Sequence, residues 1–305
     1  MSDLRECVTG DTIVVLSDGR RVPIAELVGT QPEVLAMTAD RKIVPASSDR
    51  VWSVGTKPVF RVSLASGRAL RATAEHRIFA GAGWTTVREL RVGDRVAMAR
   101  TIPVRASGVD WSDEQIILLA EQLVLSGHGD RRQPKAVDAW LRQLGVFGQR
   151  SHEKRVPGDS FRLSNERIAL LLRHLWATDG SIHLRKPGQR DAARVYFSTC
   201  SEGLARDVAA LLLRLGIVAR LRCLRGSGRP LWSVDVSGSE QQALFLKQVG
   251  AFGPRVGPAT RLAEVLAARA SEANVDVDTL PREVLAEVRA SMEAHGISHR
   301  QRAAM

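Results

Sequence analysis

The feature that most limits how this chain can fold is a change of period at Pro103–Gly108. Before it, short runs of Val, Ile, Leu, Phe and Trp are divided by Ser17-Asp18-Gly19-Arg20, Thr38-Ala39-Asp40, Ser66-Gly67 and Gly81-Ala82-Gly83. That spacing reads as strands joined by hairpins, since Gly and Asp adopt turn geometry that strand residues resist. The segments Pro23–Val28 and Thr86–Leu90 share an x-x-Glu-Leu pattern, which fits a pseudo-symmetric all-β unit. After the change, apolar residues recur at helical spacing. Ser112 is placed to cap a helix carrying Ile116, Leu119, Leu123 and Val124 on one stripe. A second helix is expected over Ser164–Thr178, with Ile168, Leu171, Leu172 and Leu175 on one side. Ala192–Thr199, Leu221–Cys223 and Leu231–Val236 read as strands, Glu202–Leu215 as an amphipathic helix, and Thr260 onward as Ala-rich helix.

The second part contains a repeat. Trp140-Leu141-Arg142-Gln143-Leu144-Gly145-Val146 matches Leu211-Leu212-Leu213-Arg214-Leu215-Gly216-Ile217, and an arginine follows each, Arg150 four residues later and Arg220 three. Each copy is preceded by an apolar helix ending in glycine, Gly127 or Gly180, but 18 positions separate the two glycines in the first copy and 36 in the second. The first copy is short where the second carries strands.

The balance of 44 Lys+Arg against 33 Asp+Glu favours an anionic partner, and arginine supplies most of the cations. Seven Lys/Arg face three acids between His128 and Arg155, and ten face three between Arg185 and Arg229. No apolar run approaches the ~18–20 residues that span a bilayer, and Met1–Glu6 has no signal-peptide layout. Cys7, Cys200 and Cys223 are too few and too scattered for a disulfide framework or a zinc site. A reducing, cytoplasmic setting is therefore expected.

Cys7 heads the turn Cys7-Val8-Thr9-Gly10-Asp11-Thr12, and Thr73-Ala74-Glu75-His76 follows beside a strand. A thiol that attacks the preceding carbonyl needs the departing nitrogen protonated, and histidine moves protons near neutral pH. Together with Trp84, Glu89-Leu90 and Gly93-Asp94, this pattern resembles the N-terminal splicing segment of inteins, from Cys7 to about Met98. The resemblance implies the horseshoe β-fold shared by inteins and hedgehog autoprocessing domains. It also implies an N-to-S acyl shift at Glu6–Cys7, with Thr73 and His76 as helpers. Ser2-Asp3-Leu4-Arg5-Glu6 resembles a stretch of bacterial DnaB-type replicative helicases, which makes such a helicase the expected host.

Leu172-Arg173-His174-Leu175-Trp176-Ala177-Thr178-Asp179-Gly180 resembles the LAGLIDADG motif of homing endonucleases, with Asp179 as the acid. The segment His152–Pro157 and the strand through Tyr196-Phe197-Ser198-Thr199 resemble further parts of that family. The resemblance implies two paired helices whose terminal acids hold Mg²⁺ or another divalent cation at double-stranded DNA. The first copy places Ser126 where its acid should be, with Asp130 as a possible substitute, and serine is a poor ligand for a hard cation. Lys154 and Lys247 are the two candidates for a family-type catalytic lysine.

The expected architecture is α+β and multidomain. Residues 1–6 are a host remnant and 7–104 an incomplete Hint horseshoe. Residues 105–255 are an α/β LAGLIDADG-type domain with a degenerate first half, and 256–305 are a helical tail with part of a helix-turn-helix. The expected DNA contacts are Arg131, Arg132, Lys154, Arg185, Lys186, Arg194, Arg220 and Arg222. A monomer is expected. Cleavage should be weak or lost, and splicing incomplete for want of a C-terminal His-Asn; the alternative is a DNA-binding module without catalysis.

Overall fold

A computed structural model of the chain describes residues 6–81, 83–104, 108–124, 135–184, 193–226, 228–271, 290–291 and 294–295. The first part is a set of antiparallel hairpins: β1 (Ile13–Val15) with β2 (Arg21–Pro23), β3 (Glu33–Met37) with β4 (Ile43–Ser47), β5 (Phe60–Ser63) with β6 (Ala69–Ala72), and β7 (Arg77–Ala80) with β8 (Gly83–Thr86). Single bridges at Val8–Ala72, Leu16–Val34 and Ala80–Val96 tie the hairpins together. A 3-10 turn, Ile24–Leu27, follows β2. At the related position after β8 the chain makes only a turn, closed by Glu89 accepting the Thr86 amide at 3.0 Å. The apolar centre is small: Ala72, Ile78 and Val87, with Val8, Val62, Leu70, Leu90 and Val96 packed around them.

The second part has one large core. Helix α1 (Asp113–Val124) starts at Ser112, whose Oγ accepts the Gln115 amide while Gln115 reaches back to the Ser112 amide at 2.9 Å. It packs along α3 (Asn165–Thr178), which Ser164 caps through the Arg167 amide. The contact buries Ile116, Leu119, Ala120 and Leu123 with Ile168, Leu171, Leu172 and Leu175. Helix α2 (Lys135–Gln143) follows the undescribed positions 125–134. Beyond α3 lies a four-stranded antiparallel sheet of β9 (Gly180–Leu184), β10 (Ala193–Thr199), β11 (Ala219–Leu224) and β12 (Leu231–Val236), in the order β11-β12-β10-β9. Along β10, Ala193, Val195 and Phe197 are buried while Arg194, Tyr196 and Ser198 alternate with them on the other face. Helix α4 (Glu202–Arg214), capped by Ser201, covers the buried face.

The repeat is visible in how its helices end. The Gly145 amide donates to the Arg142 carbonyl and Val146 to Leu141; at the equivalent positions Gly216 donates to Leu213 and Ile217 to Leu212. Among the described residues the first copy contributes no strand to a sheet. The core also continues past residue 255. Helices α5 (Ser239–Gln248) and α6 (Val256–Ser271) add Phe245, Ala259, Leu262 and Leu266, so α6 packs as part of this body as far as Leu266. Most of the expected helix-turn-helix, at residues 272–289 and 296–305, lies outside the described residues. No helix among the described residues is long and apolar enough to cross a membrane.

The two parts are joined by strong contacts. Asp207 of α4 is 1% exposed and accepts from Arg21 of β2 at 2.8 Å and from Arg155 at 2.6 and 3.0 Å. The turn between β5 and β6 meets the free edge of β11. The Leu221 amide donates to the Ser66 carbonyl at 2.8 Å, and the Arg68 guanidinium to the Ala219 carbonyl at 3.0 Å. Gly67, at φ +80°, sits so close that an added Cβ would come within 1.9 Å of the Leu221 carbonyl oxygen. Gly67→Ala should therefore destabilise the chain by about 1–3 kcal/mol through strain and collision. Urea denaturation measures this; an unchanged midpoint would mean that the turn does not dock on β11.

Candidate functional site

The bridge between Val8 and Ala72 brings the start of the chain beside β6, and the turn after β6 carries two of the expected helpers. The Cys7 amide donates to Thr73 Oγ1 at 3.0 Å, and the Thr73 amide donates to the Cys7 carbonyl at 2.9 Å. Thr73 is 6% exposed, so this clamp on the Glu6–Cys7 peptide nitrogen is shielded from water. The His76 amide donates to the Thr73 carbonyl at 3.1 Å, and Val87 closes the other side by donating to the His76 carbonyl. Cys7, Thr73 and His76 are thus held on one turn.

His76 has an unusual environment. Its Nδ1 is buried and has no hydrogen-bond partner. Burial pushes the imidazole below its usual value of 6.5, while the Glu6 carboxylate pulls it up and Arg77 pushes it down. Arg77 also pairs with Glu6 at 2.7 Å, which ties the residue preceding Cys7 to β7. A ring with a depressed pKa is neutral at rest and a stronger acid once protonated, which suits delivery of a proton to a departing nitrogen. A residue that the sequence did not single out completes the group: Lys57 Nζ lies 4.0 Å from Cys7 Sγ.

The second cluster lies at the end of α3. Asp179 caps the helix by donating its amide to the Leu175 carbonyl, and its own carbonyl accepts the Ser198 amide of β10. Gly180 follows because nothing larger fits: a Cβ would lie 2.4 Å from the Trp176 ring. Although Asp179 remains open to solvent on one side, the surrounding protein raises its carboxyl, and the Lys154 ammonium opposes that rise. Lys154 is 5% exposed, and burial lowers its ammonium while Asp179 holds it up. The expectation that Lys154 contacts DNA from the surface therefore meets a buried lysine coupled to the acid. Lys247 lies on exposed α5 surface and shows no such coupling to Asp179. Ser126 and Asp130 fall outside the described residues. Among the described residues, no three His, Cys, Asp or Glu side chains gather as a metal site. One carboxylate beside an ammonium is not by itself a donor set for Mg²⁺.

The outer face of the sheet carries the remaining candidates. Strand register places Ser181, Tyr196, Asp235 and Arg220 in one row, Ser198, Ser233 and Arg222 in the next, and His183 beside Arg194. Arg194 and Arg222 each lie 3.3 Å from the Asp235 carboxylate, which is 3% exposed. Both are expected DNA contacts, and both are paired with this acid within the face. Arg220 is exposed beside them. Arg131, Arg132, Arg185 and Lys186 lie outside the described residues.

Residues 166–250, from α3 through α5, match the family described as LAGLIDADG-like domain. The whole chain is similar to curated relatives named replicative DNA helicase DnaB. That of Rhodothermus marinus is 37% identical across 99% of this chain, and that of Nostoc sp. 33% identical across 83%. The chain spans only 38% and 35% of those relatives' own lengths. Among solved structures, a DnaB intein from Synechocystis sp. PCC 6803 is 31% identical; the match covers 31% of this chain and 70% of that one, with a TM-score of 0.30.

The depressed His76 pKa has a stability consequence. Its folded value lies below its unfolded value, so the neutral ring contributes stability that is present above pH ~6.5 and lost as pH falls through the folded value. His76→Gln should remove that loss. Urea denaturation at pH 5 and pH 7.5 should show a smaller difference for the variant than for the parent; equal differences would contradict the buried ring.

Proposed function

We propose that this chain is an intein-type self-processing unit, with Cys7 as the nucleophile of an N-to-S acyl shift. The observation that carries the reading is the paired clamp between Cys7 and Thr73, with His76 on the same turn. Cys7 Sγ attacks the Glu6 carbonyl carbon, the Glu6–Cys7 C–N bond breaks, and the freed nitrogen takes a proton. The product is a thioester between Glu6 and Cys7 with a free amino group at Cys7, an isomerisation that gains and loses no atoms. Thr73 fixes the peptide nitrogen, and His76 delivers the proton. The unpartnered Nδ1 supports that role, because a buried polar atom left without a partner is costly unless another state uses it. The similarity to DnaB proteins, together with Ser2–Glu6, supports a DnaB-type helicase as host.

The LAGLIDADG-like domain is proposed to bind double-stranded DNA across the outer face of its sheet, where Arg220 is exposed and Arg194, Tyr196 and Arg222 surround Asp235. Lys154 beside Asp179 is proposed as the lysine of the cleavage centre. Asp179 would anchor any divalent cation, and Ser126 in the partner position makes cleavage weak or absent. The helix end that would carry the second acid therefore decides between a nuclease and a DNA-binding remnant.

Incubation with dithiothreitol followed by mass spectrometry tests the splicing step. The chain should lose residues 1–6, Cys7→Ala should lose nothing, and His76→Ala should slow the loss by roughly 10²-fold or more. No loss in the parent would sink the reading. For the second domain, filter binding to random duplex should fall steeply with salt, Arg220→Ala should reduce the salt slope by about one, and added Mg²⁺ should produce little or no nicking. Rapid Mg²⁺-dependent cleavage would contradict the assignment of position 126.

A further inference from the structure

Where the hairpin part meets α4 and β11, the chain encloses a cleft of about 950 Å³, a volume suited to a small-molecule ligand. Eight arginines line it, against Asp11 and Glu202 as its lining acids. Some of these cations are already paired: Arg21 and Arg155 with buried Asp207, Arg71 with Asp11, and Arg206 with Glu202 at 2.7 Å. The others are not. Arg68 donates to the Ala219 carbonyl, and Arg214 donates to the Phe161 and Val104 carbonyls at 3.1 and 3.0 Å. Among the described residues no carboxylate pairs with Arg61, Arg68 or Arg214.

Arg214 is 6% exposed, and burial alone lowers its guanidinium to about 10. Arg68 is lowered by burial and by the nearby Arg206 cation. Holding such cations close together and out of water is unfavourable unless an anion joins them. Phe161 and Trp232 also border the cleft, under the guanidinium groups of Arg21 and Arg206 at 5.4 and 5.9 Å from the ring centroids. We propose that this cleft binds a phosphate-bearing anion of nucleotide size, gripped by Arg61 and Arg68 from one part of the chain and Arg206 and Arg214 from the other. Guanidinium forks suit phosphate oxygens. The site is separate from the outer face of the sheet, because α4 packs on the opposite, buried face. It also stands whether or not Cys7 forms a thioester.

Phosphates of this kind come from free nucleotides or from a nucleic-acid strand. Isothermal titration of the full chain at fixed ionic strength, with inorganic tripolyphosphate, ATP and a 12-nucleotide single strand, separates the sources. Saturable one-to-one binding of tripolyphosphate is expected. It should weaken at least tenfold in Arg61→Ser/Arg206→Gln, whose side chains both reach solvent so that the fold is retained, checked by circular dichroism. Binding of ATP tighter than the other two identifies a nucleotide site, and tighter binding of the strand identifies nucleic-acid phosphates. No saturable binding, or binding unchanged in that variant and abolished by Arg220→Ala/Arg222→Ala, would overturn the proposal.

Discussion

Asp207 holds the two parts of the molecule in register. It sits on α4 at a position facing the core, almost inaccessible to water, and accepts from one arginine of each part. The Val156 amide adds a third donor at 3.2 Å. Removing one partner from such a buried charge typically costs ~3–5 kcal/mol. The dependence runs mainly one way. The second part has a continuous core from Ile116 to Leu266, whereas the first is a chain of short hairpins around a small cluster of Ala72, Ile78 and Val87. Paired hairpins with so little burial are marginal alone. Docking on α4 and on the β11 edge supplies what their own packing lacks.

That attachment places the reactive turn. β6 pairs with β5, whose turn is pinned against β11 by Ser66 and Gly67, and the end of β6 presents Thr73 to Cys7. The clamp on the Glu6–Cys7 peptide therefore sits one residue beyond the end of a strand anchored to the neighbouring domain. The same junction creates the arginine-lined cleft, so whatever occupies it bears on both parts. The Asp179–Lys154 pair lies at the other end of the large core, where α3 meets the sheet.

Much of the local structure was legible in the sequence, because local forces decide it. Ser112 announces a helix that forms where the cap places it, and alternation in Ala193–Thr199 gives the two faces of β10. What the sequence hides is long-range. Lys57 stands in no pattern with Cys7, fifty positions away, yet reaches its sulfur. The Ala-rich stripe of α6 looks the same whether it is a free tail or a packed helix; contacts with β9 and α5 decide for packing. Charge counts cannot show that a buried acid lies between Arg194 and Arg222. Asp235 does sit between Val234 and Val236 in a strand, and Asp207 lies three residues after Leu204 on the apolar side of α4. Both are acids on buried elements, which is the sequence signal of an ion pair, but neither partner can be named without the fold.

Hydrogen exchange with mass spectrometry tests directly whether the two parts fold as one body. Peptides covering residues 64–68 and 219–224 should both be protected in the parent chain, and Asp207→Asn should raise exchange in both together. Free exchange of 64–68 in the parent, or a change confined to 219–224, would contradict the account.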